Sequence, residues 1–210
     1  MNSVRLLLAT RNSKKLAELR RILVTSELRG VQVIGLGDVP PFPEKPETAA
    51  TFEANALAKA QDAAAATGLA TVADDSGLEV DALRGMPGVL SARWAGRHGD
   101  DAANLRLVLD QLVDVPDGRR GAAFVCAAAL VVPSAGQSVV RGYWRGTLSR
   151  AARGRNGFGY DPIFVPEGDQ RTSAELDPAE KDTMSHRGQA LRALLPAVRL
   201  WAADQGLDEP

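Results

Sequence analysis

The chain has 210 residues, of which 45% are hydrophobic and 24% charged. These are ordinary globular values, which exclude a disordered chain, a collagen and a coiled coil. The 25 basic and 26 acidic residues give a formal net charge of -1, which argues against a nucleic-acid binder or a polybasic membrane protein. Cys126 is the only cysteine, so no intramolecular disulfide or cysteine metal cluster can form. With no apolar run near the ~20 residues that span a bilayer, and no signal-peptide core, we expect a cytoplasmic protein.

Hydrophobic periodicity predicts helices and strands that alternate along the first half of the chain. The predicted strands and helices, in chain order, are strand 4–10, helix 12–29, strand 31–36, helix 51–67, strand 69–73, strand 78–83, a helix capped by Asp100, a hairpin of strands 122–132 and 138–147, a helix capped by Asp177 and a last helix ending near Ala203. The alternation followed by a hairpin indicates an α/β protein, a mixed sheet flanked by helices and not a doubly wound parallel sheet.

The turn after the first strand is the first candidate site. It reads Ala9-Thr10-Arg11-Asn12-Ser13-Lys14-Lys15, without the glycines of a dinucleotide or Walker-type loop. Free N–H groups at a helix N-terminus, with Thr10, Asn12 and the Lys15 ammonium, suit a phosphate. The alternative for this pattern is a capped helix with a solvated lysine.

Asp74-Asp75-Ser76-Gly77 forms the second candidate site, which the pattern places at a strand end. Adjacent like charges cost energy unless a cation or an acid–base task uses them. Oxygen ligands suit Mg²⁺, and Glu47 upstream could supply a further one. A turn with two solvated aspartates is the alternative.

The segment Gly157-Phe158-Gly159-Tyr160-Asp161 is the third candidate site, since glycines let a planar group approach the backbone and a phenyl ring can stack on a base. Lys181 and Ser185-His186-Arg187-Gly188 supply further donors. A flexible loop and a helix-capping histidine are the structural alternatives.

Six ordered motifs between residues 10 and 187 together resemble the inosine/xanthosine triphosphate pyrophosphatase family. These motifs are Thr10-x-Asn12-x-x-Lys15, Phe52-x-x-Asn55-Ala56-x-x-Lys59, Ala73-Asp74-Asp75-Ser76-Gly77-Leu78, Pro87-Gly88-Val89-x-Ser91-Ala92-Arg93, Gly157-Phe158-Gly159-Tyr160-Asp161-Pro162 and Ser185-His186-Arg187.

The resemblance implies a single pyrophosphatase domain with an elongated twisted sheet, two lobes and a cleft between them, a homodimer, dependence on Mg²⁺ and cleavage of the α–β phosphate bond of ITP, dITP and XTP. By position, Asp75 is implied as the proton acceptor, and Glu47, Asp74 and Asp75 as metal ligands. The implied substrate-binding residues are Thr10, Arg11, Asn12, Ser13, Lys14, Lys15, Lys59, Ser76, Phe158, Gly159, Tyr160, Asp161, Lys181, His186 and Arg187.

Base selection is expected at the purine 6-position, where hypoxanthine and xanthine carry a carbonyl acceptor and adenine an amino donor. His186 and Arg187 would donate to the carbonyl, and a donor facing the adenine amino group would be a polar mismatch. A non-catalytic nucleotide sensor and a pyrophosphatase for modified pyrimidine nucleotides are the competing hypotheses. Three positions depart from the usual family pattern, namely Ala54, Arg145 and Arg155.

Overall fold

The computed structural model describes residues 3–25 and 30–207 of the chain. The strands of this part are β1 (Val4–Leu8), β2 (Val31–Gly35), β3 (Ala70–Val80), β4 (Gly121–Val132), β5 (Gly136–Leu148) and β6 (Phe164–Pro166). The α-helices are α1 (Ser13–Thr25), α2 (Phe52–Thr67), α3 (Asp101–Gln111), α4 (Pro178–Met184) and α5 (His186–Asp204).

The described strands form one mixed sheet in the order β2-β1-β3-β4-β5-β6. β1 pairs in parallel with both β2 and β3, whereas β5 and β6 pair antiparallel. β4 and β5 are neighbours joined by only three residues, as the predicted hairpin requires. The α/β class and the mixed sheet predicted from the sequence are therefore confirmed.

The helix ends follow local capping chemistry. Thr51 accepts the Ala54 N–H ahead of α2, and Gly68 ends that helix with φ 69°, a left-handed conformation that glycine adopts without strain. Asp100 and Asp177 cap α3 and α4 as predicted. The first helix was expected over 12–29; α1 begins at Ser13, and residues 26–29 lie outside the described residues.

The main correction concerns the two predicted strands 69–73 and 78–83. They are one continuous strand, β3, and Asp74-Asp75-Ser76-Gly77 lies within it and is not a turn. Gly77 does not adopt a positive φ. β3 lies between β1 and β4 in the sheet, with β1 paired to Ala70–Val72, and this non-local pairing of the strand overrides the turn preference of aspartate and glycine.

The chain divides into two compact units, and unit 1 comprises Met1–Asp75, Cys126–Gly142 and Arg187–Pro210. On one face of its sheet, Leu6 and Leu8 of β1 share a core with Leu191 and Leu194 of α5. On the other face, the neighbouring residue Leu7 shares a core with Ala63 of α2. Helices therefore cover both faces of the sheet in this unit.

Unit 2 comprises Ser76–Val125 and Tyr143–His186. Its core joins one face of α3 to strand residues and to a group of aromatic rings. The buried members of this core are Leu78, Val80, Val108, Leu112, Ala122, Phe124, Trp144, Leu148, Tyr160, Ile163, Phe164 and Leu176. The cleft expected from the family resemblance stays a prediction. Across residues 3–25 and 30–207, no helix has the length and apolar character needed to cross a membrane.

Candidate functional site

Asp74 and Asp75 project from opposite faces of β3. Successive side chains of a strand alternate in direction, so neighbours in sequence do not share a face. The Asp74 carboxylate contacts Lys15 of α1, whereas the Asp75 carboxylate contacts Asn55 of α2. The two charges were expected to lie side by side; strand alternation separates their carboxylates instead.

Asp74 is held by two cations. The Lys15 ammonium donates to Asp74 Oδ2 at 2.9 Å, and Arg187 Nε lies 3.5 Å from the same oxygen. Burial by itself raises the pKa of the Asp74 carboxyl, but Lys15, Arg187 and Lys59 outweigh it and hold that pKa far below its usual range. Asp74 is therefore ionised at neutral pH in a buried cationic setting.

Arg187 also pairs with Glu18 of α1, and its side chain is only 3% exposed. Burial lowers the pKa of the guanidinium, but Glu18 and Asp74 raise it above its usual range. The guanidinium thus joins two carboxylates inside unit 1. Its expected role in reading the purine stays a prediction.

Asp75 has the opposite electrostatic character. Burial raises the pKa of this carboxyl above its usual range, and the Lys59 ammonium, 3.7 Å away, opposes that shift only in part. Asn55 Nδ2 donates to Asp75 Oδ2 at 2.9 Å, while its own Oδ1 accepts the Ala49 N–H. The carboxylate is therefore oriented by an amide that is itself held in place, and its raised pKa makes it a better proton acceptor than an exposed aspartate.

The Lys59 ammonium lies between the carboxylates of Glu47 and Asp75. It donates to Glu47 Oε1 at 2.8 Å and also to the backbone carbonyl of Asp74. Burial lowers the pKa of Lys59, but Asp74, Asp75 and Glu47 together raise it. Lys59 is therefore a fixed positive charge beside the proposed base.

The predicted metal ligands do not form one cluster. Glu47 and Asp75 both face Lys59, whereas Asp74 lies on the other face of β3. Among residues 3–25 and 30–207, no three His, Cys, Asp or Glu side chains are grouped so as to hold a metal ion. The oxygen donors of Glu47 and Asp75 fit Mg²⁺, which commonly takes one or two carboxylates and completes its shell with water and phosphate.

The turn before α1 is capped by its own side chains. Asn12 Oδ1 accepts the N–H groups of Lys14 and Lys15, and Thr10 Oγ1 accepts the Asn12 N–H. Lys15 is not the solvated lysine of the structural alternative, because it pairs with Asp74. The side chain of Arg11 is 69% exposed beside Glu44, and Ser13 and Lys14 are exposed as well.

In unit 2, the loop around Phe158 is organised by Asp161. Asp161 Oδ2 accepts the Phe158 N–H at 2.8 Å and pairs with the Lys181 ammonium at 2.7 Å, while Oδ1 accepts the Ser173 hydroxyl. Gly157 has φ 76°, and a Cβ built there would lie 2.0 Å from Asp161 Oδ2. The loop therefore requires glycine at this position.

Phe158 and Lys181 form a cation–π pair, with the ammonium 5.7 Å from the ring centroid. Phe158 is half-buried, and the Lys181 side chain is only 9% exposed. The Gly159 N–H donates to Asp101 Oδ2 at 2.9 Å, which ties the loop to the first turn of α3. Asp161 thus holds the Phe158 loop and the Lys181 ammonium of α4 together.

Tyr160 is among the predicted substrate contacts, and that role stays a prediction. It is buried in the unit 2 core, and its hydroxyl donates to the Ser91 carbonyl at 2.8 Å. Burial raises the pKa of Tyr160 above its usual value. Tyr160 therefore anchors the loop. Ser76 is half-buried in the unit 2 part of β3.

His186 begins α5 and is 3% exposed. Its imidazole stacks on Phe124 with a centroid distance of 4.8 Å and an interplanar angle of 12°. Trp144 lies 6.4 Å from the imidazole at 19°. The histidine is therefore fixed by aromatic rings and is more than a helix-capping side chain.

Of the three departures from the family pattern, Arg145 and Arg155 have partners within unit 2. Arg145 forms a two-nitrogen pair with Asp81 and lies over the Tyr143 ring. Glu53, adjacent to Ala54, pairs with Arg141. Arg155 is exposed, and its backbone N–H donates to Ala174.

The sequence motifs assign no role to Asn55, Glu18 or Phe124. Asn55 carries a usable signal, because a polar residue in an alanine-rich helix must find a partner when buried. Glu18 lies three positions after Lys15, on the same helical face. Phe124 has no such signal, because a single aromatic residue in an apolar strand predicts only a position in the hydrophobic core.

Residues 6–197 match the sequence model of the Ham1 family. A curated relative from Nocardia farcinica, named dITP/XTP pyrophosphatase, is 67% identical over 198 residues, covering 94% of this chain and 96% of the relative.

Two solved structures are also similar to the chain. One is a nucleoside-triphosphatase / dITP/XTP pyrophosphatase from Mycobacterium abscessus, with 62% identity and a TM-score of 0.75, covering 92% of this chain and 100% of that one. The other is a HAM1 protein from Coxiella burnetii, with 43% identity and a TM-score of 0.82, covering 93% of this chain and 98% of that one.

Proposed function

The chain belongs to the Ham1 family, and on that premise we propose that it hydrolyses the non-canonical purine triphosphates ITP, dITP and XTP to the monophosphate and pyrophosphate. This reaction removes such nucleotides from the nucleotide pool. The family resemblance deduced from the six motifs is confirmed by the match. The observation that carries the activity is the high identity, along nearly the whole chain, to relatives named dITP/XTP pyrophosphatase.

The lysines of unit 1 provide the charge that a triphosphate requires. A triphosphate carries about four negative charges, which must be neutralised before it can approach carboxylates. We assign this task to Lys15, Lys59 and the N-terminal turn of α1. Both ammonium groups already rest on carboxylate partners, so they are positioned before substrate arrives.

Asp75 serves as the proton acceptor for the attacking water. The water oxygen forms a bond to the α-phosphorus, the bond from that phosphorus to the α–β bridging oxygen breaks, and pyrophosphate leaves. The released water proton passes to the Asp75 carboxylate, whose raised pKa suits this task. A positioned general base contributes roughly 10²–10⁴ in rate.

Glu47 and Asp75, which both contact Lys59, are the side chains that would hold Mg²⁺ together, and the role of Asp74 as a further ligand stays a prediction. When bound, the ion supplies positive charge that polarises phosphate oxygens. Asn55 and Lys59 keep the Asp75 carboxylate oriented, while Asp74 balances the charges of Lys15 and Arg187.

We assign base recognition to Phe158, Lys181 and His186. Phe158 stacks on the purine, and His186 with Lys181 donates toward the 6-carbonyl of hypoxanthine or xanthine. Adenine presents an amino donor at that position, so the same groups disfavour it. A site that hydrogen-bonds a polar substituent discriminates more strongly than one that measures size.

The hypothesis that Arg187 reads the 6-carbonyl has a clear test, the Arg187→Ala variant. A hydrogen bond to a charged donor is worth about 1.5–3 kcal/mol. If Arg187 donates directly to the 6-carbonyl, the Arg187→Ala variant should have a kcat/KM about ten- to a hundredfold lower for ITP and XTP, and much less reduced for ATP. If Arg187 acts only through its ion pair with Asp74, the variant should lower kcat/KM by the same factor for all four nucleotides.

We further propose a cytoplasmic homodimer that needs neither membrane nor nucleic acid. The balanced charge supports the absence of a nucleic-acid partner, and the single buried cysteine supports a reducing compartment. The dimer rests on the family resemblance. Sedimentation of the purified chain tests the dimer.

The activity is tested by pyrophosphate release from ITP, XTP, GTP and ATP, with Mg²⁺ and after chelation. We expect rapid release from ITP and XTP, little from ATP, and loss of turnover without the metal. Binding without turnover would instead support the nucleotide sensor. Preference for modified pyrimidine triphosphates would support the third hypothesis.

A further inference from the structure

Phe124 of β4 lies in unit 2 beside His186, and neither the family resemblance nor the motifs assign it a role. The two rings are nearly parallel, with centroids 4.8 Å apart and planes inclined by 12°. Trp144 continues the arrangement, 6.4 Å from both rings and inclined by 19° to the imidazole and 27° to the phenyl ring. Three flat side chains thus share almost one orientation.

The stack restricts how the imidazole can turn. Rotation of the ring out of its plane would lose contact with Phe124 on one face, and His186 is already 97% buried, with 3% exposure. The hydrogen bonds of an imidazole lie in the plane of the ring. The plane set by Phe124 therefore sets the directions in which His186 can donate.

Phe164 braces the stack without contributing to it. It is fully buried and meets Phe124 at 4.6 Å with an angle of 52°, and Trp144 at 5.2 Å with an angle of 55°. Such tilted contacts are a favoured geometry for aromatic pairs and fix the rings that carry the stack.

We infer that Phe124 is a positioning residue for purine selection: its ring holds the imidazole of His186 in the plane from which His186 donates to the 6-carbonyl. This inference rests on the proposed function of His186. It makes specificity depend on a buried core residue that never touches the nucleotide.

The test compares Phe124→Leu with Phe164→Leu, because both variants remove one ring from the same cluster and only the first removes the stack on His186. Both should lower Tm. Only Phe124→Leu should raise KM for ITP, by about two- to tenfold, the equilibrium effect expected of an aromatic pair, with kcat nearly unchanged. The ratio of kcat/KM for ITP to that for ATP should fall by the same factor. Phe124→Tyr keeps the ring and should restore KM, and Phe124→Met replaces Phe124→Leu if the leucine variant does not fold.

Nuclear magnetic resonance of the imidazole rings gives a readout independent of activity. The chain has two histidines, and His98 is exposed, so it serves as an internal reference. Loss of the ring current in Phe124→Leu should shift the His186 ring protons downfield and leave His98 unchanged.

A double-mutant cycle completes the test. If Phe124 acts through His186, Phe124→Leu should have no further effect on KM in a His186→Gln background. Additive effects, unmoved His186 resonances, or an equal rise of KM in Phe164→Leu would overturn the inference. If the wild-type protein releases no pyrophosphate from ITP, the proposed function fails instead, and the resonance shift still tests the stack of Phe124 on His186.

Discussion

Asp74 and Asp75 are consecutive residues of β3, yet their carboxylates face opposite sides of the strand and have pKa values shifted in opposite directions. Asp74 rests on Lys15 and Arg187, and Asp75 on Asn55 and Lys59. Environments that drive two pKa values apart separate the roles of two like residues. The Asp74 carboxylate holds Lys15 and Arg187 in place, and the Asp75 carboxylate is the group able to accept a proton.

Asp75→Asn should lower turnover of ITP by at least ~10²-fold, because the amide cannot accept the proton of the attacking water. The pH profile should change with it. Wild-type kcat/KM should fall as the pH drops through the raised pKa of Asp75, since only the ionised form is a base, and the variant should lack that limb. Steady-state pyrophosphate release across pH, with circular dichroism to confirm folding, measures both effects. Turnover near the wild-type value in a folded variant would remove Asp75 from the mechanism.

Asp74→Asn and Asp75→Asn should affect stability in opposite ways. The folded-state pKa of Asp74 is lowered, so its stabilisation is present above the unfolded pKa of about 3.9 and lost as pH falls. The Asp74→Asn variant leaves Lys15 and Arg187 without this negatively charged partner. This loss should lower the free energy of unfolding by about 3–5 kcal/mol at pH 7.

Asp75 has a raised folded-state pKa, so its ionised form costs stability at pH 7 and that cost disappears as pH falls through the folded value. Asp75→Asn should therefore leave the free energy of unfolding unchanged or raise it. Urea denaturation of the two variants at pH 7 makes the comparison. Equal losses in both would contradict the assignment of separate roles.

Phe158→Ala should lower kcat/KM for ITP, XTP, GTP and ATP by similar factors, because stacking does not depend on the 6-substituent. Stacking of a base on an aromatic ring is worth about 1–3 kcal/mol. The ring is only half-buried, so the variant should stay folded. A large drop in Tm, or a loss confined to the 6-oxopurines, would assign Phe158 to the core or to selection instead.

Gly157→Ala should raise KM for ITP far more than Gly159→Ala does. Both glycines have a positive φ, 76° and 60°, so both alanine variants carry backbone strain of about 1 kcal/mol. Only at position 157 does the new methyl collide with the Asp161 carboxylate, whereas nothing lies within 4 Å at position 159. The collision displaces the acceptor of the Phe158 N–H and of Lys181. Comparable KM values for the two variants would show that the Asp161 contacts do not govern base binding.

The sequence by itself determined the features that depend on short-range chemistry. The caps of α2, α3 and α4 follow from Thr51, Asp100 and Asp177, since capping acts over three residues. The mixed α/β class follows from the order of periodic segments, and the family from the spacing of motifs. These properties need no knowledge of what packs on each element.

Tertiary structure alone decided the arrangement of the charges and rings. Asp74-Asp75-Ser76-Gly77 has the composition of a turn, and only its place within a strand of the sheet keeps it extended. That extension sends the two carboxylates to different helices. Tyr160 lies in the core because a distant carbonyl, that of Ser91, satisfies its hydroxyl. Phe124 stacks on His186 although the two residues are 62 positions apart in the chain. Contacts between such distant segments depend on how the whole chain packs, and no local sequence pattern encodes them.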